Sequence, residues 1–489
     1  MKIRSVIAIA AVFLLLALNP IRTYAEGPYQ AYVYDECDHA KVAPNSYLPS
    51  GVFSGLDSGA GSFNDPQDLF VDSKGFIYVA DTGNNRIVKL NDQFQKVDII
   101  DKLMWNGKET ALSGPTGIFM GADGLLVIAD KGSGRVLLVN NSKQVQLVIE
   151  KPSHPLIPQD FKFKPIKVSA DEAGRIYVLS EGQFFGLMQF DSTGQFTGYF
   201  GSNKVEVTPA VVLEKFWKSI LTKDQRDSMA KLLPIEYSNM DLGPDGFVYT
   251  TTIVSENSRE EIKKLNPLGN NVLVGKKGEL DFGDKEIPIK KSVKQDTAFV
   301  DLAVDRDGII AGLDRTRGRV FEYDQDGNLL AVFGALGNQQ GTFLQPNAVA
   351  FLNDSILVLD SGKRNITQFS LTEYGSQVRK AVILYNQGLY EEAASIWRNV
   401  AKRNIHSDIA NVGIAKSLEK NGDYESALYY YKQGADRAGF SNNFSQIRIA
   451  AVRMNLPIVM SLLAVAVVGW YGYRAFRLVY AHRGRRKRV

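Results

Sequence analysis

"VDSKGFIYVADTGNNRIVKL", Val71 to Leu90, gathers an aspartate, two asparagines and an arginine into six positions: Asp81, Asn84, Asn85 and Arg86. Polar residues crowd in this way in active sites, and also in sharp turns. Recurrence separates the two readings. A catalytic group is needed once, whereas a turn is needed in every repeat of a repetitive fold.

The stretch recurs. "GPTGIFMGADGLLVIADKGSGRVLLV" (114–139) keeps the proline, the turn glycine, the aliphatic strand, the aspartate and the arginine. "KPIKVSADEAGRIYVLS" (164–180), "SNMDLGPDGFVYTTT" (238–252), "VDLAVDRDGIIAGLDRTRGRVFEYD" (300–324) and "QPNAVAFLNDSILVLDSGKRNITQF" (345–369) follow. Aligned on the turn position, the units sit at Gly75, Gly124, Gly174, Gly246, Gly308 and Asp354, with spacings of 49, 50, 72, 62 and 46. Each reads as strand, tight turn, strand, polar turn, strand, with a fourth strand such as "FTGYFG" (196–201) after it. Four short strands per unit at this period describe propeller blades. The longest gap holds "TPAVVLEKFWKSILTKDQRDSMAKLL" (208–233), apolar at helical spacing, and the next a Lys-rich loop near 276–294.

Closure is also written in the chain. "FSGLDSGAGSFNDP" (53–66) matches "FGALGNQQGTFLQP" (333–346) in both Phe–Phe and Phe–Pro spacing, so the first stretch reads as the outer strand of a blade. The sixth unit ends near Ser370 with only three strands. A strand near 47–54 supplies its fourth and removes a free edge. The expected fold is a six-bladed all-β propeller over 47–370, preceded by an N-terminal arm, 26–46.

The pattern P-x-D-L-F-V-D-S-K-G-F-I-Y-V-A-D-T-G-N-N-R-I (66–87) resembles an NHL repeat. The likeness is strong in units one, two and five. It weakens where Ser180 and Glu181, Thr250 to Thr252, and Asp354 depart from the pattern. The resemblance implies a propeller used mostly as a binding platform, and in some branches as a hydrolase or lyase. The opening cluster is then architecture: Asp81/Arg86, Asp130/Arg135 and Asp314/Arg319 share a spacing of five, and the arginine can pair back to the aspartate.

The ends set the expected compartment. Lys2 and Arg4, the apolar run Ser5 to Leu18 and "TYAE" (23–26) read as a signal peptide over 1–25. Cys37 lies outside any lipoprotein-type setting, and one cysteine allows no internal disulfide. "MNLPIVMSLLAVAVVGWYGY", Met454 to Tyr473, has no ionisable side chain other than tyrosine and is long enough for a bilayer core. The expected transmembrane helix is 455–474. A basic tail, 475–489, reads as cytoplasmic and suited to anionic lipid. Without the seven cations from Arg474 onward and Lys2, Arg4 and Arg22, 47 basic residues face 53 acidic ones, a net of −6. The basic balance reports topology, so no nucleic-acid partner is expected.

Between propeller and anchor, Gly388/Gly422, Tyr390/Tyr424, Ala393/Ala427 and Trp397/Tyr431 are each 34 apart. That is the tetratricopeptide period. The expected repeat region is 371–454, with a helix near 441–454 capping it. It serves as a spacer or as a peptide-binding groove.

Chemistry has few places to hide. The four histidines are His39, His154, His406 and His482, two of them beyond the propeller, so the three-histidine zinc site of amidating-lyase relatives cannot be assembled. No nucleophile motif of the GxSxG kind appears. Seven residues before each turn position stand Asp68, Gly117, Lys167, Asn239, Asp301 and Asn347, all expected at one mouth of the central channel. Asp68, Asn239, Asp301 and Asn347 offer oxygens of the kind Ca2+ takes, and the resemblance extends to gluconolactonase-like propellers, which hold a metal with a similar set. Lys167 argues instead for a polar channel lining. The expectation is a membrane-anchored, extracytoplasmic binding or scaffold protein for a protein or cell-envelope glycan partner. The alternative is a metal-dependent lactonase- or lyase-type enzyme.

Overall fold

The computed structural model describes residues 27–35, 37–201, 236–252, 261–273, 280, 282–285, 289–290, 293–294 and 296–485. The expected signal peptide, the helical insertion, most of the Lys-rich loop and residues 486–489 lie outside them. The chain divides into two compact units, 1–376 and 377–489.

The first unit is a six-bladed propeller. Blade one is Asp68–Val71, Ile77–Asp81, Arg86–Leu90 and Lys96–Ile100, each strand antiparallel to the next. Blades two, three and five repeat this from Pro115–Met120, Pro165–Ala170 and Phe299–Val304 outward, with four strands each. Blade four shows three strands among the described residues, beginning with Tyr237–Leu242. Blade six takes Pro346–Leu352, Ser355–Asp360 and Asn365–Leu371 from its own unit and Tyr47–Ser54 from the start of the propeller. Asn365 pairs with Ser54 and Leu371 with Tyr47, so the ring closes through the expected strand.

The turns explain why these residues form blades. Asp72 Oδ1 accepts from the Lys74 and Phe76 amides at 2.9 Å, and Gly75 supplies the left-handed step at φ +82°. Asp171 with Gly174 and Asp305 with Gly308 repeat that turn. The opening cluster is a second kind of turn. Asp81 is fully buried, accepts from the Asn64 amide at 2.7 Å, and pairs with Arg86 Nε at 2.7 Å. Asp130 does the same with Ser113 and Arg135. Blade five departs from the expected pairing. Asp314 accepts from the Ala298, Thr316 and Arg317 amides, while Arg319 turns to Asp284 and to Tyr32 of the N-terminal arm. The arm lies beside blade five and supplies a partner from outside the repeat.

Between blades, apolar side chains interdigitate. Phe63 and Phe343, equivalent in the sequence match, are both fully buried, and Tyr47, Phe333 and Phe369 pack around Phe343. Burying each such side chain is worth about 1.5–3 kcal/mol.

The helical region comprises Glu373–Asn386, Tyr390–Arg403, Asp408–Lys420, Tyr424–Gln433 and Arg437–Arg485. The 34-residue spacing reappears as shared roles: Gly388 and Gly422 both adopt φ +81°, Ala393 and Ala427 are both fully buried, and Trp397 and Tyr431 are both buried. Gly413 lets a helix approach Trp397, since a Cβ there would stand 2.5 Å from Nε1. The expected capping helix and the apolar segment form one helix that runs through Pro457. Every residue from Met454 to Tyr473 is exposed, and this helix is long and apolar enough to cross a membrane.

Candidate functional site

Five innermost strands carry an irregularity where the channel lining begins. Register slips between Pro115 and Gly117, Pro165 and Lys167, Tyr237 and Asn239, Phe299 and Asp301, and Pro346 and Ala348. An extra residue on one strand re-aims the side chains that follow it. Asp68, Gly117, Lys167, Asn239 and Asp301 occupy equivalent places, opposite Ala80, Ala129, Leu179, Thr251 and Leu313. The sixth place belongs to Ala348, opposite Leu359, and Asn347 falls on the bulge before it. Alignment on Asp354 slips by one because blade six turns through Asn353 and Asp354 alone, with Asn353 at φ +53°.

Polar side chains at the start of the inner strands stitch neighbouring blades together. Asp68 Oδ2 accepts from the Ile118 amide at 2.7 Å, and Asp301 Oδ2 from the Val349 amide at 2.7 Å. Asn239 Nδ2 donates to Val300 O at 3.0 Å, and Asn347 Nδ2 to Pro66 O at 3.2 Å. Thr116 and Ser238 hydroxyls reach the Pro165 and Phe299 carbonyls. Gly117 belongs to the same logic. A Cβ there would stand 2.8 Å from Ile166 O and Lys167 Cα, so glycine lets blades two and three meet.

Lys167 crosses the ring. Its Nζ lies 2.5 Å from Asp68 Oδ1 and 3.4 Å from Asp301 Oδ1. Burial opposes its charge, but Asp301 and Asp68 outweigh burial and hold the ammonium above the ordinary lysine range. Asp301 behaves oppositely: burial pushes it up to about 7, although Lys167 pulls it down. Asp68 makes the shorter contact with Lys167, and burial readies Asp301 to take a proton.

Calcium takes six to eight oxygens at about 2.3–2.6 Å. The residues here do not fit that demand. The Lys167 ammonium already supplies a cation to Asp68 and Asp301, whose other oxygens accept from backbone amides. Asn239 Oδ1 accepts from the Met240 amide, and Asn347 Oδ1 from Arg315 Nη2 at 3.2 Å. At the tip of the arm hairpin, donor atoms of Asp35, Cys37 and His39 lie within 4.8 Å of one another, but Asp35 is already held by two amides and Lys41.

Above the ring opens a pocket of about 560 Å3, lined by Gln67, Lys131, Glu181, Glu236, Arg315 and Asn347 among others. Lys131 bonds Glu181 at 2.6 Å and, with its hydrogen bond leading, holds that carboxyl below its usual range. Burial raises Glu236, which accepts from the Gly182 amide at 2.7 Å, and burial lowers Arg315. Ser238 Oγ is engaged by Thr251 and Phe299, with no base beside it. This mouth can hydrogen-bond a polar ligand, and nothing in its described lining forms a nucleophile–base pair. Of the six lining residues named, only Asn347 was singled out from the sequence, although Lys131, Glu181 and Arg315 share a signal, each directly following the second strand of its blade. Asp241, which lines the other mouth, was also missed, although it stands two residues after Asn239 and hence on the same strand face.

A profile of the NHL repeat matches residues 63–90. No curated protein matches the chain in sequence. Among solved structures it is similar to a streptogramin B lyase, at 14% identity and TM-score 0.39, covering 69% of this chain and 85% of that one. A virginiamycin B lyase from Staphylococcus aureus matches at 11% identity and TM-score 0.39 over 67% and 99% of the two chains. Regucalcin, a calcium-binding protein from Agrobacterium tumefaciens, matches at 14% identity and TM-score 0.36 over 63% and 90%. Likenesses this distant assign no ligand or chemistry to this chain.

Proposed function

We propose that this chain is a membrane-anchored, extracytoplasmic binding and scaffold protein. Its propeller takes a polar partner, a protein or a cell-envelope glycan, and a short tetratricopeptide-like stalk holds it at the membrane. The observation that carries this reading is the 560 Å3 mouth, whose charged and amide side chains come from separate blades above a ring committed to blade-to-blade bonds. Hydroxyl-rich and peptidic ligands suit such a lining. The anchor reading is supported by the apolar stretch Met454–Tyr473 and by the acid-free run of cations after it, which orients the tail inward and near anionic lipid.

Cross-linking and pull-down from intact membranes tests it. The unsubstituted chain should capture a partner that Arg315→Ala with Glu236→Gln loses, and neither should open simple lactones. A partner retained by the double variant, or lactone turnover, would move the function elsewhere. External protease on intact cells should destroy the propeller and spare a tag placed after Val489.

A further inference from the structure

The opposite mouth of the channel is the wider one, about 980 Å3. Strand periodicity puts the residue two places beyond each ring position on the channel face. Of those residues Phe70, Phe119, Asp241, Ala303 and Ala350 line this mouth, while Ser169 is buried. Phe70 and Phe119, neighbours on blades one and two, are only partly buried, and their ring centroids lie 5.3 Å apart. Asp241 comes from blade four, across the channel from Phe70. Its Oδ2 accepts from the Val304 amide at 3.0 Å and its Oδ1 from the Leu242 amide at 2.8 Å. Each oxygen therefore keeps a free lone pair.

Charge decides what such a cavity would take. Inside the rim the lining carries one carboxyl, Asp241, and one ammonium, Lys167, whose charge is already met by Asp68 and Asp301 behind it. The rim does not reverse the balance. Arg306 is largely exposed, and Lys74 is exposed. Lys89 is spent on the aromatic wall, its Nζ 4.1 Å from the Phe76 ring centroid. The mouth thus already holds one cation on an aromatic face.

We propose that this wide mouth is a second binding site, distinct from the polar mouth, and that it takes an organic cation. Asp241 is the counter-charge, and Phe70 and Phe119 offer the faces on which an alkylammonium group rests. Aromatic rings attract such cations through their quadrupole, and a carboxylate in a partly desolvated wall adds to it. A neutral ligand of the same shape gains the apolar contact only.

Choline and its uncharged carbon isostere 3,3-dimethylbutanol separate these terms. Both would be titrated calorimetrically into the full-length chain in a maltoside detergent at pH 7.5. Choline should bind at least about 10-fold tighter than the isostere, the factor that corresponds to roughly 1.4 kcal/mol. Asp241→Asn should weaken choline about 10-fold, and Phe119→Leu about 5-fold, with no change for the isostere. Burial raises Asp241 to about 6, so choline affinity should fall as pH drops through that value. Asp301, Asp68 and Lys167 face the same carboxyl, and protonation of Asp301 acts in the same direction. Equal binding of the two probes, no binding of choline at millimolar concentration, or an Asp241→Asn chain that binds choline unchanged would each overturn the proposal. Phe119→Leu keeps the test decisive should Asp241→Asn fail to fold.

Discussion

Tyr47 Oη donates to Glu322 Oε1 at 2.6 Å, joining residues 275 apart in sequence. Tyr47 opens the strand that closes the ring, and Glu322 stands in the third strand of blade five. Both are buried, and the Tyr47 ring packs on Phe333 with centroids 4.6 Å apart. One hydroxyl therefore ties the closing strand to the blade beside it. Burial holds the Glu322 carboxyl up at about 7, and the Tyr47 bond pulls it down.

Tyr47→Phe keeps the ring contact and removes that bond. The loss should be about 1–3 kcal/mol, because the carboxyl stays buried without this donor. It should be larger at pH 8 than at pH 6, where Glu322 is mostly protonated. Thermal melts of the full-length chain at the two pH values read this directly.

Deleting residues 45–55 should do more damage. It strips the fourth strand from blade six and exposes the Asn365–Leu371 edge, an open template for association. Light scattering on the truncated chain should report aggregation. A monomer that melts like the full chain would show that blade six tolerates an open edge.

The buried carboxyls predict how stability varies with pH. Burial raises Asp301 to about 7 and Asp241 to about 6, above their values in an unfolded chain. The folded propeller then binds protons more tightly than the unfolded one, so stability falls as pH rises from about 4 towards 7. Melting temperature should be higher at pH 5 than at pH 8. Asp301→Asn should flatten that slope by removing one of the titrating groups.

Lys167→Met strands two carboxylates in the channel. A cost of about 3–5 kcal/mol is expected, the usual range for removing one partner of a buried pair. Adding Asp68→Asn and Asp301→Asn should recover most of it, since the amides can still accept from Ile118 and Val349. Millimolar calcium should leave the melting temperature of the unsubstituted chain unchanged, because Lys167 already serves both aspartates.

Much of the propeller was legible because its repeat is built from short-range bonds. An aspartate reaching amides two and four residues on, with a glycine at positive φ, is complete within a few residues. The Asp81–Arg86 and Asp130–Arg135 pairs span five. Such features recur from unit to unit and read directly from the chain, as did the closing strand through the match of Phe53 and Phe63 with Phe333 and Phe343.

The lining of the channel obeyed a different rule. Its register depends on hairpin length, and a turn of only Asn353 and Asp354 was enough to shift Asn347 off the ring. Arg319 bonds Asp284 and Tyr32, both remote in sequence, although Asp314 stands opposite it on the next strand. The same holds for Lys167. Its residue type was visible, but its place between Asp68 and Asp301 follows from the meeting of blades one, three and five. By itself the sequence determined the blades, their number and their closure, because turns and strand periods are local. Only the tertiary structure decided what the polar residues of the channel are for, because their partners come from other blades.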